Sequence, residues 1–162
     1  MLLHASGVVR NGRLWIFAGY TSAGKTTIAR ELNGGGVPFA VDRVALLREG
    51  LAPQAHPTPF SDPRGEIARC VPAAPEAVVI VEQGDAHAVR RLAPASAAGQ
   101  LVHHSSWNWQ SQAVMSLALE TAGWMAERVP VHVMRFSKDE GFWSLLDAIT
   151  RDSPVAREGE VG

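Results

Sequence analysis

Apolar positions along the chain fall in short runs whose period changes from one run to the next. Leu2 to Val9 and Leu14 to Ala18 are extended and rich in apolar residues. Between them stands Asn11-Gly12, two residues that both tolerate positive φ, so the pattern predicts an antiparallel hairpin. Thr26 to Leu32 places Ile28, Ala29 and Leu32 on one face of a short helix, and Asn33-Gly34-Gly35-Gly36 supplies a left-handed stop. Val37 to Val41 and Val44 to Leu47 predict two more strands on either side of Asp42-Arg43. Pro53, Pro57, Pro59 and Pro63 then leave the stretch from Gly50 to Arg64 mostly irregular, with room for an edge strand. Ala77 to Val81 is an unbroken, β-branched apolar run that reads as a buried strand ending at Glu82.

The second half turns helical. Pro94 to His103 carries proline in what would be its first turn. Residues 108–128 form the longest helical pattern, with Val114, Ala118, Ala122 and Met125 at helical spacing and Leu117, Leu119 and Trp124 widening the apolar surface. That width predicts a largely buried helix. Val131 to Phe136 is a last strand, and Ser137-Lys138-Asp139-Glu140 has the form of a capping box opening a helix with Phe142, Leu145, Leu146 and Ile149 on one side. One domain over residues 1–150 and a polar, flexible tail over 151–162 follow from this pattern.

Composition narrows the class. Hydrophobic residues make up 46% and charged residues 19%, as a folded globular chain requires. The formal charge of −1 offers no broad basic surface, which argues against nucleic-acid binding; Arg90-Arg91 reads as a solvated face. Cys70 is the only cysteine, so an intrachain disulfide and a cysteine-based zinc cluster are both excluded, and it reads as an inert thiol. No basic start precedes an apolar segment at the N-terminus, and no run approaches the ~20 residues that cross a bilayer. The expectation is a soluble cytoplasmic protein with no membrane partner. His103-His104 and Trp107-x-Trp109 lack a third ligand at useful spacing and read as the junction between two helices.

The chemistry concentrates in Gly19-Tyr20-Thr21-Ser22-Ala23-Gly24-Lys25-Thr26, followed by Thr27. The spacing Gly-x4-Gly-Lys-Thr is that of a phosphate-binding loop. Its glycines let backbone N–H groups turn inward around an anion, and the helix that follows presents its positive end. Lys25 would bridge the β- and γ-phosphates of a nucleotide and the Thr26 hydroxyl would ligate Mg²⁺. The loop also lies between a predicted strand and a predicted helix, the context such a loop needs. Two acidic residues at strand ends could complete the metal shell, Asp42 and Glu82, and spacing does not choose between them.

The run HASGVVRNGRLWIFAGYTSAGKTTIARELNGGGVPFAVDRVALL resembles the catalytic domain of the HPr kinase/phosphorylase family and its shorter relatives. A histidine-bearing strand, a glycine-turn hairpin, the phosphate loop and an Asp-Asp-Arg strand end come in the same order. AVVIVEQ with RLAPASA, and VPVHVMRFSKDEGFWSLL, extend the resemblance over most of residues 1–150. It implies an α/β fold, a P-loop core with a mixed sheet akin to phosphoenolpyruvate carboxykinase. It also implies an ATP- and Mg²⁺-dependent kinase that phosphorylates a Ser/Thr hydroxyl of a small protein or precursor peptide.

By position, His4 matches the family's active-site histidine, Lys25 and Thr26 the phosphate and metal residues, and Asp42-Arg43 the end of Asp-Asp-Arg. Glu66 matches a metal-side glutamate. Asp42 or His4 would receive the hydroxyl proton, although His4 also reads as an ordinary histidine on a half-buried strand. Two positions depart from the pattern: Thr21-Ser22 stands for Ser-Gly, and Val41 for the first aspartate. No segment matches the one tied to phosphorylase activity, nor the separate N-terminal domain of full-length members, whose hexamers leave homo-oligomerisation open here. Two alternatives stand beside this reading. One is a small-molecule kinase using Arg64 and Arg69 on its acceptor; the other is a non-catalytic nucleotide-binding module.

Overall fold

The computed structural model describes residues 1–58, 60, 71–106, 111–137 and 139–151. Strands β1 (Leu2–Arg10) and β2 (Arg13–Ala18) form the expected hairpin, with Arg10 opposite Arg13. Asn11 and Gly12 turn it with φ of 52° and 74°, the double left-handed geometry of a tight two-residue turn. Helix α1 (Lys25–Arg30) follows the phosphate-type loop, and β3 (Val37–Ala40), β4 (Arg43–Glu49) and β5 (Ala52–Pro57) come next. Strand β5 occupies the sheet edge, where its prolines remove no ladder bond that the fold needs.

Strands β6 (Pro75–Gln83), β7 (Ala88–Arg91) and β8 (Val131–Phe136) complete an eight-stranded sheet in the order β5-β4-β1-β2-β6-β8-β7, with β3 paired to β1. β2, β6 and β8 run parallel, whereas β1, β4, β5 and β7 are antiparallel to their neighbours. The sheet is therefore mixed, as expected. β7 departs from the sequence reading: Arg90-Arg91 is exposed, but it belongs to an edge strand.

Side chains alternate across this sheet and both faces are covered. Helices α2 (Pro94–His103) and α3 (Gln112–Arg128) cover the face that carries Ile16, Ala18, Val78 and Ile80. α1 and α4 (Phe142–Arg151) cover the other, built from Trp15, Phe17, Val79, Met134 and Phe136 with Phe142, Trp143 and Leu146. Trp143 stands edge-on to Phe17 at 5.6 Å, and its indole N–H donates to the Leu32 carbonyl at 2.7 Å.

Two helices correct the sequence reading. α3 is not largely buried: Ala118, Ala122 and Met125 face the core, but Leu117 and Leu119 are 56% and 53% exposed. Its Ser111 cap accepts from the Val114 N–H. α4 does not open on the capping box, because it starts at Phe142 and Asp139 takes the capping role. The Asp139 carboxylate accepts from the Gly141 N–H at 2.8 Å and from the Ser137 hydroxyl at 2.6 Å, and contacts His87 Nε2 at 2.7 Å. These partners, the Ser137 hydroxyl first, pull its pKa down to about 2. Ser137 and Asp139 both meet the same nitrogen of His87, so the three do not form a hydrolase-type relay. Arg151 ends α4, and the rest of the polar tail lies outside the described residues.

Candidate functional site

β2 delivers the chain to the loop at Ala18, and α1 carries it away from Lys25. Between them the backbone curls tightly. Ala23 N–H donates to the Tyr20 carbonyl, and Ser22 and Gly24 hold φ of 65° and 102°. A Cβ on Gly24 would stand 2.7 Å from the Phe136 ring, so position 24 needs glycine for both conformation and space. Gly24 caps α1 without a side chain, which leaves the first amides of the helix to whatever occupies the cleft.

Lys25 is only 6% exposed. Its ammonium donates to the carbonyls of Gly19 at 3.0 Å and Tyr20 at 2.7 Å, and a third donor remains. Burial lowers its pKa and Asp42 partly restores it. Gln83, at the end of β6, donates to the Ser22 carbonyl at 2.6 Å and braces the loop.

The opposite wall comes from β1 and the β3–β4 junction. His4 Nε2 lies 3.5 Å from Asp42 Oδ1, and the Arg43 guanidinium lies 3.5 Å from Asp42 Oδ2. Arg43 also donates to the Ser106 hydroxyl. His4 has a lowered pKa, chiefly through burial and then through Lys25, so its imidazole is neutral at neutral pH. Val41, where an aspartate pair would begin, is 4% exposed in the core, and its carbonyl accepts from the Ser6 hydroxyl.

One cavity of about 500 Å³ gathers these groups: His4, Thr21, Ser22, Gly24, Lys25, Thr26, Thr27 and Asp42, with Glu31, Gln83 and Phe136. Glu82 is exposed and lines a different hollow, beside Arg90 and Arg135. Glu66, Arg64, Arg69, Cys70, Trp107 and Trp109 lie outside the described residues.

The donor set fits a nucleotide with a hard divalent cation. The Thr26 hydroxyl and the Asp42 carboxylate are oxygen donors on one cavity, and Mg²⁺ takes few protein oxygens beside phosphates and water. Among the described residues there is no group of three or more His, Cys, Asp or Glu that could hold a metal ion.

The sequence pattern did not reveal a histidine–tyrosine cluster at the loop. His103 Nε2 lies 2.7 Å from the Tyr20 hydroxyl, and the His103 and His104 rings both stand edge-on to Tyr20 at 5.3 Å. Burial, then His103, Lys25 and His4, push the His104 pKa down to about 4. The adjacent histidines were visible in the sequence, but the backbone pairing of His4 N–H with the His104 carbonyl that brings them here was not.

No family model matches the chain, and no curated protein does. Among solved structures, the fold is similar to that of the HPr(Ser) kinase/phosphatase from Coxiella burnetii, with a TM-score of 0.51 and 11% identity over 98% of this chain and 99% of that one. At that identity the likeness is one of fold.

Proposed function

We propose that the protein is an ATP- and Mg²⁺-dependent kinase that phosphorylates a Ser/Thr hydroxyl of a small protein or precursor peptide. The observation that carries this reading is the convergence of Lys25, Thr26, Asp42 and His4 on one cavity at the end of β2. The likeness of fold to an HPr(Ser) kinase/phosphatase supports it.

In this reading the amides of residues 19–27 and Lys25 hold the phosphates, and Lys25 offsets the charge that spreads over the transferring group. Thr26 and Asp42, with Glu66 as the resemblance implies, would hold Mg²⁺, which would supply positive charge against the phosphates. The acceptor hydroxyl gives its proton to the His4–Asp42 pair as its oxygen bonds to the γ-phosphorus and the bond to ADP breaks. A neutral His4 suits that role. Arg43 holds the Asp42 carboxylate in place.

With Val41 in the core, one aspartate serves where the resembling family uses two. That observation also favours a second reading, nucleotide binding without transfer. Lys25→Ala and Asp42→Asn separate the two in an assay with γ-labelled ATP. Transfer lost at least a hundredfold in both variants, with nucleotide binding retained in Asp42→Asn, is the expected result. Transfer unchanged in Lys25→Ala overturns the kinase assignment, and binding without transfer in the wild-type protein supports the second reading.

A further inference from the structure

A second cavity lies at the opposite end of the parallel strands. Its lining includes Trp15 of β2, His132 of β8, Val89 and Arg91 of β7, and Ile149 with Thr150 of α4, and it encloses about 250 Å³. On β6 it reaches Ala77, six residues before Gln83 of the nucleotide-type cleft, about 20 Å at ~3.3 Å per residue. The two cavities are therefore separate sites.

His132 marks this hollow as more than a packing gap. The residue is 6% exposed and its Nδ1 is buried without a hydrogen-bond partner. A polar ring in that position costs stability unless something satisfies it. Arg91 stands directly opposite His132 in the β7–β8 register, so both side chains emerge on the same face of the sheet. Arg91 is exposed and takes part in none of the ion pairs among the described residues. Trp15, Val89 and Ile149 belong to the apolar cluster on that face. Glu76 and Arg90 complete the polar part of the lining. The last turn of α4 carries partial negative charge, so an anion would sit on the β7–β8 side and an apolar body against Ile149.

We propose that this cavity binds a small organic anion, a carboxylate or phosphate head held by Arg91 and His132 with an apolar body on Trp15, Val89 and Ile149. The volume falls below the ~300–1,000 Å³ of drug-sized sites, which limits the occupant to the size of a small metabolite. Burial and Arg91 both lower the His132 pKa, so the ring meets the anion as a neutral donor. The proposal is independent of the kinase reading, because no residue of the first cleft takes part in it.

The test is an NMR titration of the full chain, reading the imidazole signal of His132, assigned by its loss in His132→Gln. Benzoate and phenyl phosphate are the probes, and inorganic phosphate is the control for the head alone. We expect saturable shifts of the His132 signal with at least one of the two organic anions. Arg91→Gln, an exposed change, should weaken that binding at least tenfold, and Lys25→Ala should leave it unaltered. If neither organic probe moves the His132 signal, or if the shift survives Arg91→Gln, the site is refuted. Equal affinity for inorganic phosphate would refute the apolar half of the proposal. Carboxylate and phosphate sources are distinguished by which organic probe binds more tightly.

Discussion

Ser22 holds φ of 65° where the resembling phosphate loops carry glycine. A left-handed serine costs roughly 1 kcal/mol, which glycine avoids although it is more flexible when unfolded. Ser22→Gly should therefore change stability by less than about 1 kcal/mol, whereas Ser22→Val, β-branched at positive φ, should cost more than 1 kcal/mol. Chemical denaturation of the two variants checks the contrast, and equal stabilities would contradict it. His104 gives a pH signature at the same scale. Folding holds its pKa at about 4, while the unfolded chain binds the proton near 6.5. Between those values the unfolded state takes up more protons. Its contribution to stability is therefore intact above pH 6.5 and lost as the pH falls to 4, by up to about 3 kcal/mol. Urea unfolding at pH 7 and pH 5 should show a smaller difference in His104→Gln than in the parent, and an equal difference would refute this. Lys25 and Thr26 were legible in the sequence because the loop is a local motif. Gln83 and His104 were not, because each is brought to the loop by a contact distant in sequence, Gln83 through its side chain on Ser22 and His104 through its carbonyl on the His4 N–H.

At the scale of elements, Trp143 joins α4 to the hairpin and to the end of α1. It is buried against Phe17, donates to Leu32, and carries the Arg10 guanidinium 4.8 Å from its ring centroid while Arg10 pairs with Asp147. Trp143→Ala removes all three links and leaves a cavity, and should cost about 3–5 kcal/mol. A loss below 1 kcal/mol in denaturant unfolding would show that α4 is not anchored this way. The hairpin was legible because Asn11-Gly12 fixes a turn and the turn fixes the register. The covering of α3 was not. Leu117 and Leu119 widen its apolar arc in sequence, yet only the stripe through Ala118, Ala122 and Met125 meets the core. Apolar width cannot tell how many neighbours a helix has. α4 misled differently, since Ser137 and Glu140 have capping-box spacing but Asp139, two residues before Gly141, reaches the free amide first.

For the whole molecule, the consequence of the fold is where it sets β2. That strand lies between antiparallel β1 and parallel β6, so the loop after it opens beside both Gln83 of β6 and His4 of β1. Asp42 arrives from the β3–β4 junction, since its carbonyl accepts from the Ala5 N–H. Strand order is a long-range property, and only the antiparallel opening of the sheet was written locally. β7 escaped notice because four residues with two arginines show no strand period, and its place is set by pairing with β8. The convergence of His4, Asp42 and Lys25 bears on the central claim, that the cleft moves a phosphoryl group onto an acceptor. The most direct measurement follows the label from γ-labelled ATP with Mg²⁺ and either HPr or a serine-ending peptide. The account predicts label recovered as phosphoserine on one of these macromolecules, abolished by Lys25→Ala. Label recovered only on a small metabolite, or nucleotide bound with none transferred, would contradict it.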